Sequence, residues 1–119
     1  MLNICSSNAL PGDKKISVAL TGAPQTMLAT LYAKALDADA ENSLLGDVLA
    51  RDAVRRIDYD WRRTSVTPGN AAGVTNRTVH FDKWAREFLA RHDRATVLHI
   101  GCGLDSRAFR LEPGPGIEW

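Results

Sequence analysis

Little in this 119-residue chain is present in excess. Its two cysteines, Cys5 and Cys102, are too few for a disulfide framework. No second Cys or His pair stands at ligand spacing, and the histidines, His80, His92 and His99, show no metal spacing either, which argues against zinc. Neither sign of charge dominates: 15 Lys+Arg face 14 Asp+Glu, a formal charge of +1, so there is no general pull toward nucleic acid or acidic membranes. No apolar run approaches the ~20 residues that cross a bilayer. Ile16–Leu20 follows Lys14-Lys15, but it is too short and too polar at its edges for a signal peptide. A reducing cytoplasm is the default location. Internal repeats and low-complexity tracts are missing as well.

What is present fits one soluble globular unit, with 45% hydrophobic and 24% charged residues. Residues 1–20 show no period and read as a loose arm, followed by a helical region over 21–95 and a strand-bearing segment over 96–119. Gly22-Ala23-Pro24 opens a first helix, with Thr21 or Gly22 as candidate cap. Met27, Leu28, Leu31, Tyr32, Ala35 and Leu36 form its apolar stripe. Residues 37–42 are a polar break. A second helix is expected from Leu44 or Leu45 to Ile57, with Leu45, Val48, Leu49 and Ala53 inward. Thr64 to Gly73, with Pro68-Gly69-Asn70, reads as a loop. Phe81, Trp84, Ala85, Phe88 and Leu89 then mark one apolar helix face.

Thr96-Val97-Leu98-His99-Ile100 has the composition of a buried parallel strand, and Gly101-Cys102-Gly103 ends it. Leu104 to Arg110 suits a short helical turn. Pro113-Gly114-Pro115-Gly116 is a turn, and Ile117-Glu118-Trp119 begins a second strand. The order is helices, strand, glycine turn, helix, turn, strand, a βαβ unit. A last strand without a further partner suggests a truncated reading frame or a fragment, expected to be inactive by itself.

A strand ending in Gly-x-Gly lets the backbone turn sharply and lets a ligand approach with no Cβ in the way. A dinucleotide site asks for Gly or Ala at the third glycine position, with a pyrophosphate on the helix start. Here that position is Ser106, and Asp105 would set a carboxylate beside the pyrophosphate. S-adenosylmethionine has no phosphate, and it carries an ammonium and a sulfonium. An aspartate suits it better, so the motif favours this ligand over NAD. A ligand-free strand-to-helix turn is the plain structural alternative.

The segment Val97 to Arg110 resembles the motif of the leucine carboxyl methyltransferase family, and more closely its bacterial branch of polyketide O-methyltransferases. Three upstream elements add to the resemblance: Gly22 to Leu28, Ile57-Asp58-Tyr59-Asp60-Trp61, and Arg77-Thr78 with Phe81-Asp82 and Trp84. It spans about residues 21 to 119. It implies an α/β fold, in which N-terminal helices precede the first βα unit of a Rossmann-like class I methyltransferase sheet. It also implies an S-adenosylmethionine-dependent methyltransferase that modifies a carboxylate or hydroxyl of a small molecule. Gly101 and Gly103 would line the cofactor, Arg77 would meet its methionine carboxylate, and Asp105 with Arg107 would shape the turn. Cys102 and Ser106 replace alanine and threonine of the family pattern. His99, where the family often has asparagine, reads as a strand side chain packed under the loop. No catalytic residue is assigned, and a general base, if any, lies beyond Trp119 or on the substrate.

The remaining candidates are weaker. Arg51, Arg55, Arg56, Arg62 and Arg63 surround Tyr59 and Trp61, as a single-strand nucleic-acid surface would. Interleaved Asp52, Asp58 and Asp60 favour a solvated, ion-paired face instead, and the aromatics favour core packing. The expected partners are a small-molecule methyl acceptor and no nucleic acid or membrane, with self-association through exposed apolar surface. The competing reading is a non-catalytic remnant that acts, if at all, as a partner-binding helical piece.

Overall fold

The computed structural model describes residues 15–119. Most of the expected loose arm lies outside them. Its described end is paired: strand β1, Ile16–Ser17, lies parallel to a later strand, with Ile16 opposite Ile57 and Ser17 opposite Asp58.

Gly22, at φ 68°, turns the chain into a short 3₁₀ segment, Ala23–Gln25, with Pro24 in its first turn. Helix α1, Thr26–Ala38, follows directly. Its stripe is the one expected, since Leu28, Leu31 and Ala35 are all buried. Lys34 is buried among them.

The polar break after α1 is organised by one carboxylate. Asp37 accepts hydrogen bonds from the Ser43 hydroxyl and from the backbone N–H groups of Leu44, Leu45 and Gly46. Burial alone would raise its carboxyl, but these bonds hold it below its ordinary pKa. They also delay the second helix. Helix α2 is Val48–Arg56, capped by Asp47, whose carboxylate accepts from the Ala50 N–H at 3.0 Å. Of its expected inward residues, Val48 and Leu49 are about half exposed, and Ala50 takes the buried place. Strand β2, Ile57–Asp58, receives β1, and a 3₁₀ turn over Trp61–Thr64 follows.

The expected loop at Thr64–Gly73 is largely helix. Helix α3 runs Pro68–Leu89. Thr67 and Asn70 cap each other reciprocally: Asn70 N–H donates to the Thr67 hydroxyl, and Thr67 N–H to the Asn70 side chain at 2.8 Å. Pro68 then sits where a missing N–H costs nothing. Turn-like composition thus hid a helix start. The buried face of α3 also differs from the expected one. Ala71, Thr75, Thr78 and Asp82 are buried, whereas Phe81, Trp84 and Phe88 are about half exposed. Both α2 and α3 pack on α1.

Strand β3 pairs at Ala95–Thr96 with β4, Ile117–Glu118. The pairing is parallel, Ala95 opposite Ile117 and Thr96 opposite Glu118, and Val97 N–H extends it by donating to the Glu118 carbonyl at 2.7 Å. The second strand after the glycine turn is therefore present as expected, although the paired part is shorter than Thr96–Ile100. Between the two lies helix α4, Arg107–Arg110. The strand was expected to be covered on both faces. Val97 and His99 are half-buried, but Leu98 and Ile100 are 80% and 90% exposed. Among the described residues each sheet has two strands, and no helix is long and apolar enough to cross a membrane.

Candidate functional site

The chain leaves β3 through Gly101-Cys102-Gly103. Both glycines are in the left-handed region, Gly101 at φ 66° and Gly103 at φ 53°. An L side chain is strained there, and this is why the turn needs glycine at both places. Their surroundings differ. Among the described residues, chain neighbours apart, no atom lies within 4 Å of where a Gly101 Cβ would stand. A Gly103 Cβ would meet the Met27 side chain of α1, with Sδ at 3.0 Å. Gly103 is thus where the turn touches the helices. Cys102 between them is an exposed free thiol. The Asp105 N–H closes the turn on the Cys102 carbonyl at 2.9 Å.

Asp105 does not present a free carboxylate. Its Oδ1 accepts from Lys34 Nζ at 3.1 Å and from the Arg107 N–H at 3.2 Å, and Arg110 Nη2 is 3.4 Å away. Its Oδ2 is 3.3 Å from Arg107 Nη2 and 3.6 Å from His99 Nε2. Burial would raise this carboxyl, but Lys34 and the two arginines hold it below its ordinary value. With three cations around it, Asp105 exerts less repulsion on a pyrophosphate than the sequence alone suggests. Its clearest work is to hold the turn.

The segment after the turn is gripped by charges from the helices. Asp82 of α3, 1% exposed, accepts from Arg107 Nε at 2.7 Å and from Arg110 Nε and Nη2 at 2.7 and 3.0 Å. Asp47, 2% exposed, accepts from Arg110 Nη1 at 2.8 Å and from the Ser106 hydroxyl at 2.7 Å. For Asp82, burial again raises the carboxyl, and the Arg110 and Arg107 hydrogen bonds more than offset it. Lys34, Arg107 and Arg110 balance Asp47, Asp82 and Asp105. Lys34 and Asp47 carried no role in the sequence reading, and Asp82 entered it only as part of a motif. Their signal was a charge placed inside an apolar stripe or before a helix, which periodicity counts as noise.

Arg77 is exposed on α3, and among the described residues its side chain has no hydrogen-bond or ion-pair partner. It stands one turn before Phe81 on the same helix face. The Phe81 ring lies 5.7 Å from the Arg107 guanidinium carbon and shares a hollow of ≈ 310 Å³ with His99 and Trp119. His99 is half-buried as expected, its Nε2 3.2 Å from Arg107 Nη1 and its ring edge-on to Trp119.

The arginine-rich stretch is an ion-paired surface, with Arg55 on Asp39, Arg51 on Asp52 and Arg62 on Asp60. Trp61 stacks on Tyr32 at 5.2 Å, Tyr59 meets Trp61 edge-on, and Gln25 donates to the Tyr59 hydroxyl. These aromatics pack against α1 and its lead-in.

A short parallel strand, Ala95–Thr96, is thus followed after four residues by two left-handed glycines and then by a four-residue helix. The sequence narrows this further. The pattern of the leucine carboxyl methyltransferase family matches residues 18–118, and the chain belongs to that family. It is 47% identical over 103 residues to the tetracenomycin polyketide synthesis O-methyltransferase TcmP of Streptomyces glaucescens, covering 87% of this chain and 38% of that protein. It is 37% identical over 114 residues to the S-adenosyl-L-methionine-dependent methyltransferase dpfgK of Gibberella zeae, covering 88% and 38%. The chain therefore spans well under half the length of these relatives. No solved structure matches it. The expected family, the methyltransferase class and S-adenosylmethionine as its cofactor are supported by these likenesses.

Proposed function

We propose that this chain supplies the cofactor turn and its supporting helices to an S-adenosylmethionine-dependent O-methyltransferase. The observation that carries the reading is Gly101: it follows β3 at φ 66°, and among the described residues nothing fills the space where its Cβ would be. β3, α4 and β4 are then the first βαβ unit of a Rossmann-like sheet. Gly101 and Gly103 let the cofactor lie against the backbone. Arg77, exposed and unpaired among the described residues, offers its planar fork to the methionine carboxylate. Asp105, bonded to Lys34 and Arg107, keeps the turn in shape.

The bound cofactor supplies a methyl group on a positively charged sulfur. The acceptor is the carboxylate or hydroxyl of a small molecule, whose oxygen bonds to the methyl carbon as the carbon–sulfur bond breaks. Orientation supplies much of the acceleration. A cytoplasmic setting belongs to the same reading, with Cys102 kept as a thiol.

Calorimetric titration of the protein with S-adenosylmethionine tests the assignment. Heat of binding is expected, and it is expected to vanish in Gly101→Val, whose side chain would be strained at this φ and would fill the open space. Unchanged affinity in that variant refutes the site. A second reading, a non-catalytic helical piece that binds a partner, draws on the exposed Leu98, Ile100 and Phe109. Absence of cofactor binding by the unsubstituted chain favours it.

A further inference from the structure

Arg107 touches both legs of the glycine turn. Its Nη1 is 3.2 Å from Nε2 of His99, two residues before Gly101, and its Nη2 is 3.3 Å from Oδ2 of Asp105, two residues after Gly103. The remaining nitrogen, Nε, donates to Asp82 at 2.7 Å. Asp82 also takes Nε and Nη2 of Arg110. A guanidinium is planar, so fixing Nε and one further contact fixes where the other nitrogens point. Helix α4 has four residues and cannot hold its own shape. Its position must come from outside, and Asp82 bonds both of its arginines from α3, whereas Asp105, which also lies within reach of both, belongs to the turn itself.

We propose that Asp82 is a positioning residue for the cofactor turn: by orienting Arg107 it staples the His99 and Asp105 legs together and so sets the shape of Gly101–Gly103. This rests on the reading of that turn as the S-adenosylmethionine site, and it names the part of the helical region that builds it. Lys34 on Asp105 and Asp47 on Arg110 complete the clamp from α1 and from the start of α2. Asp82 touches no cofactor. Its effect passes through Arg107.

Hydrogen–deuterium exchange on the 119-residue chain tests the staple directly. Asp82→Asn keeps the shape of the side chain but removes the charge on which both arginines converge. Within 100–106 the Asp105 N–H donates to the Cys102 carbonyl, and exchange at this amide is expected to rise about tenfold, while the α1 segment around Leu31 stays close to that of the unsubstituted chain. Arg107→Lys keeps the charge and loses the fork, and it should show the same local rise. Asp52→Asn, on the exposed surface, should change neither segment. Equal loosening of both segments in Asp82→Asn, or unfolding of that variant, leaves Arg107→Lys to decide. If Arg107→Lys leaves 100–106 as slow as in the unsubstituted chain, the staple is wrong. It is also wrong if that chain shows no protection in 100–106. A second arm adds S-adenosylhomocysteine and reads further slowing of the same segment. Slowing in the unsubstituted chain that weakens about tenfold in both variants supports the proposal. Variants that loosen the turn in a chain on which the ligand has no effect leave the staple standing and refute the cofactor reading. Ligand slowing that Asp82→Asn and Arg107→Lys do not alter refutes the staple alone.

Discussion

Lys34 and Asp105, 71 positions apart in sequence, meet at 3.1 Å in the interior, and the lysine side chain is only 6% exposed. A buried lysine is tolerated only with a partner. Lys34→Met is expected to lower stability by about 1–3 kcal/mol, since it removes one of the hydrogen-bonding cations around a buried carboxylate. Asp105 keeps two arginines, so the double variant Lys34→Met with Asp105→Asn should lose less than the sum of the single losses. Denaturant titrations of the four proteins in the cycle check this. A strictly additive result means that the pair contributes nothing of its own.

Acid should unfold the protein through these carboxylates. Asp82, Asp105 and Asp37 each have a folded pKa below the ordinary value for an aspartate. Carboxyls depressed in the fold stabilise it fully above the unfolded pKa, and that stability is lost as the pH falls through the folded value. Stability is therefore expected to be flat near neutral pH and to fall from about pH 4 downward. Asp82→Asn should make the fall shallower as well as start from a lower plateau. Urea midpoints measured from pH 2 to 7 give the curve, and a decline that begins above pH 6 would contradict it.

The two glycines should fail in different ways. Gly101→Ala meets strain at φ 66° but no neighbour among the described residues, so it should cost about 1–2 kcal/mol and reduce ligand binding. Gly103→Ala adds a collision with Met27 and should cost more. Met27→Ala in the same chain removes the colliding atoms and should recover part of that loss, leaving the strain. Thermal melts of the three variants separate the two causes. No recovery in the double variant would place the cost elsewhere.

S-adenosylmethionine should outcompete NAD. Asp105 is neutralised by its cations, so charge repulsion alone does not decide this. Ser106 strengthens the case: it occupies the third glycine position, is buried, and is bonded to Asp47 and Arg110. It cannot give way to the close approach that a dinucleotide turn requires. Displacement of a fluorescent adenosine probe ranks the two ligands, and a tighter constant for NAD would reverse the order.

By itself the 119-residue chain should show no methyl transfer and should associate. It spans 38% of the length of the relatives it matches. Leu98, Ile100 and Phe109 lie 80%, 90% and 74% exposed. Uncovered apolar side chains of this kind drive association. Sedimentation velocity should show oligomers that Leu98→Lys with Ile100→Lys reduces to monomer. A monomeric unsubstituted chain, or transfer of label from methyl-labelled cofactor, would overturn this.

The elements that follow from apolar spacing and turn chemistry were legible. The α1 stripe, the Pro24 start, the glycine turn and the parallel return at Ile117 all follow from local residue types. Helix α3 was half legible. Its aromatic turns were read, but Thr67-Pro68-Gly69-Asn70 looks like a loop until the reciprocal cap is seen. Which face of α3 turns inward was not legible, because the deciding residue is an aspartate. Asp82 is buried on account of Arg107 and Arg110, partners 25 and 28 positions later. Arg77 and the glycines came from the motif, whereas Lys34, Asp47 and Asp82 required the long-range pairing.

A ribosome makes Lys34 71 residues before Asp105, and Asp47 63 residues before Arg110. At about 5–20 residues per second, Lys34 waits roughly 4 to 14 seconds for its partner. Until then the inward charges of the helical region have nothing to pair with and must stay hydrated. The helices can form early, but they cannot close on one another in their final arrangement. Synthesis of the glycine turn is thus the event that lets helices α1 to α3 finish folding, and a nascent chain stalled before Arg107 should remain open to proteases.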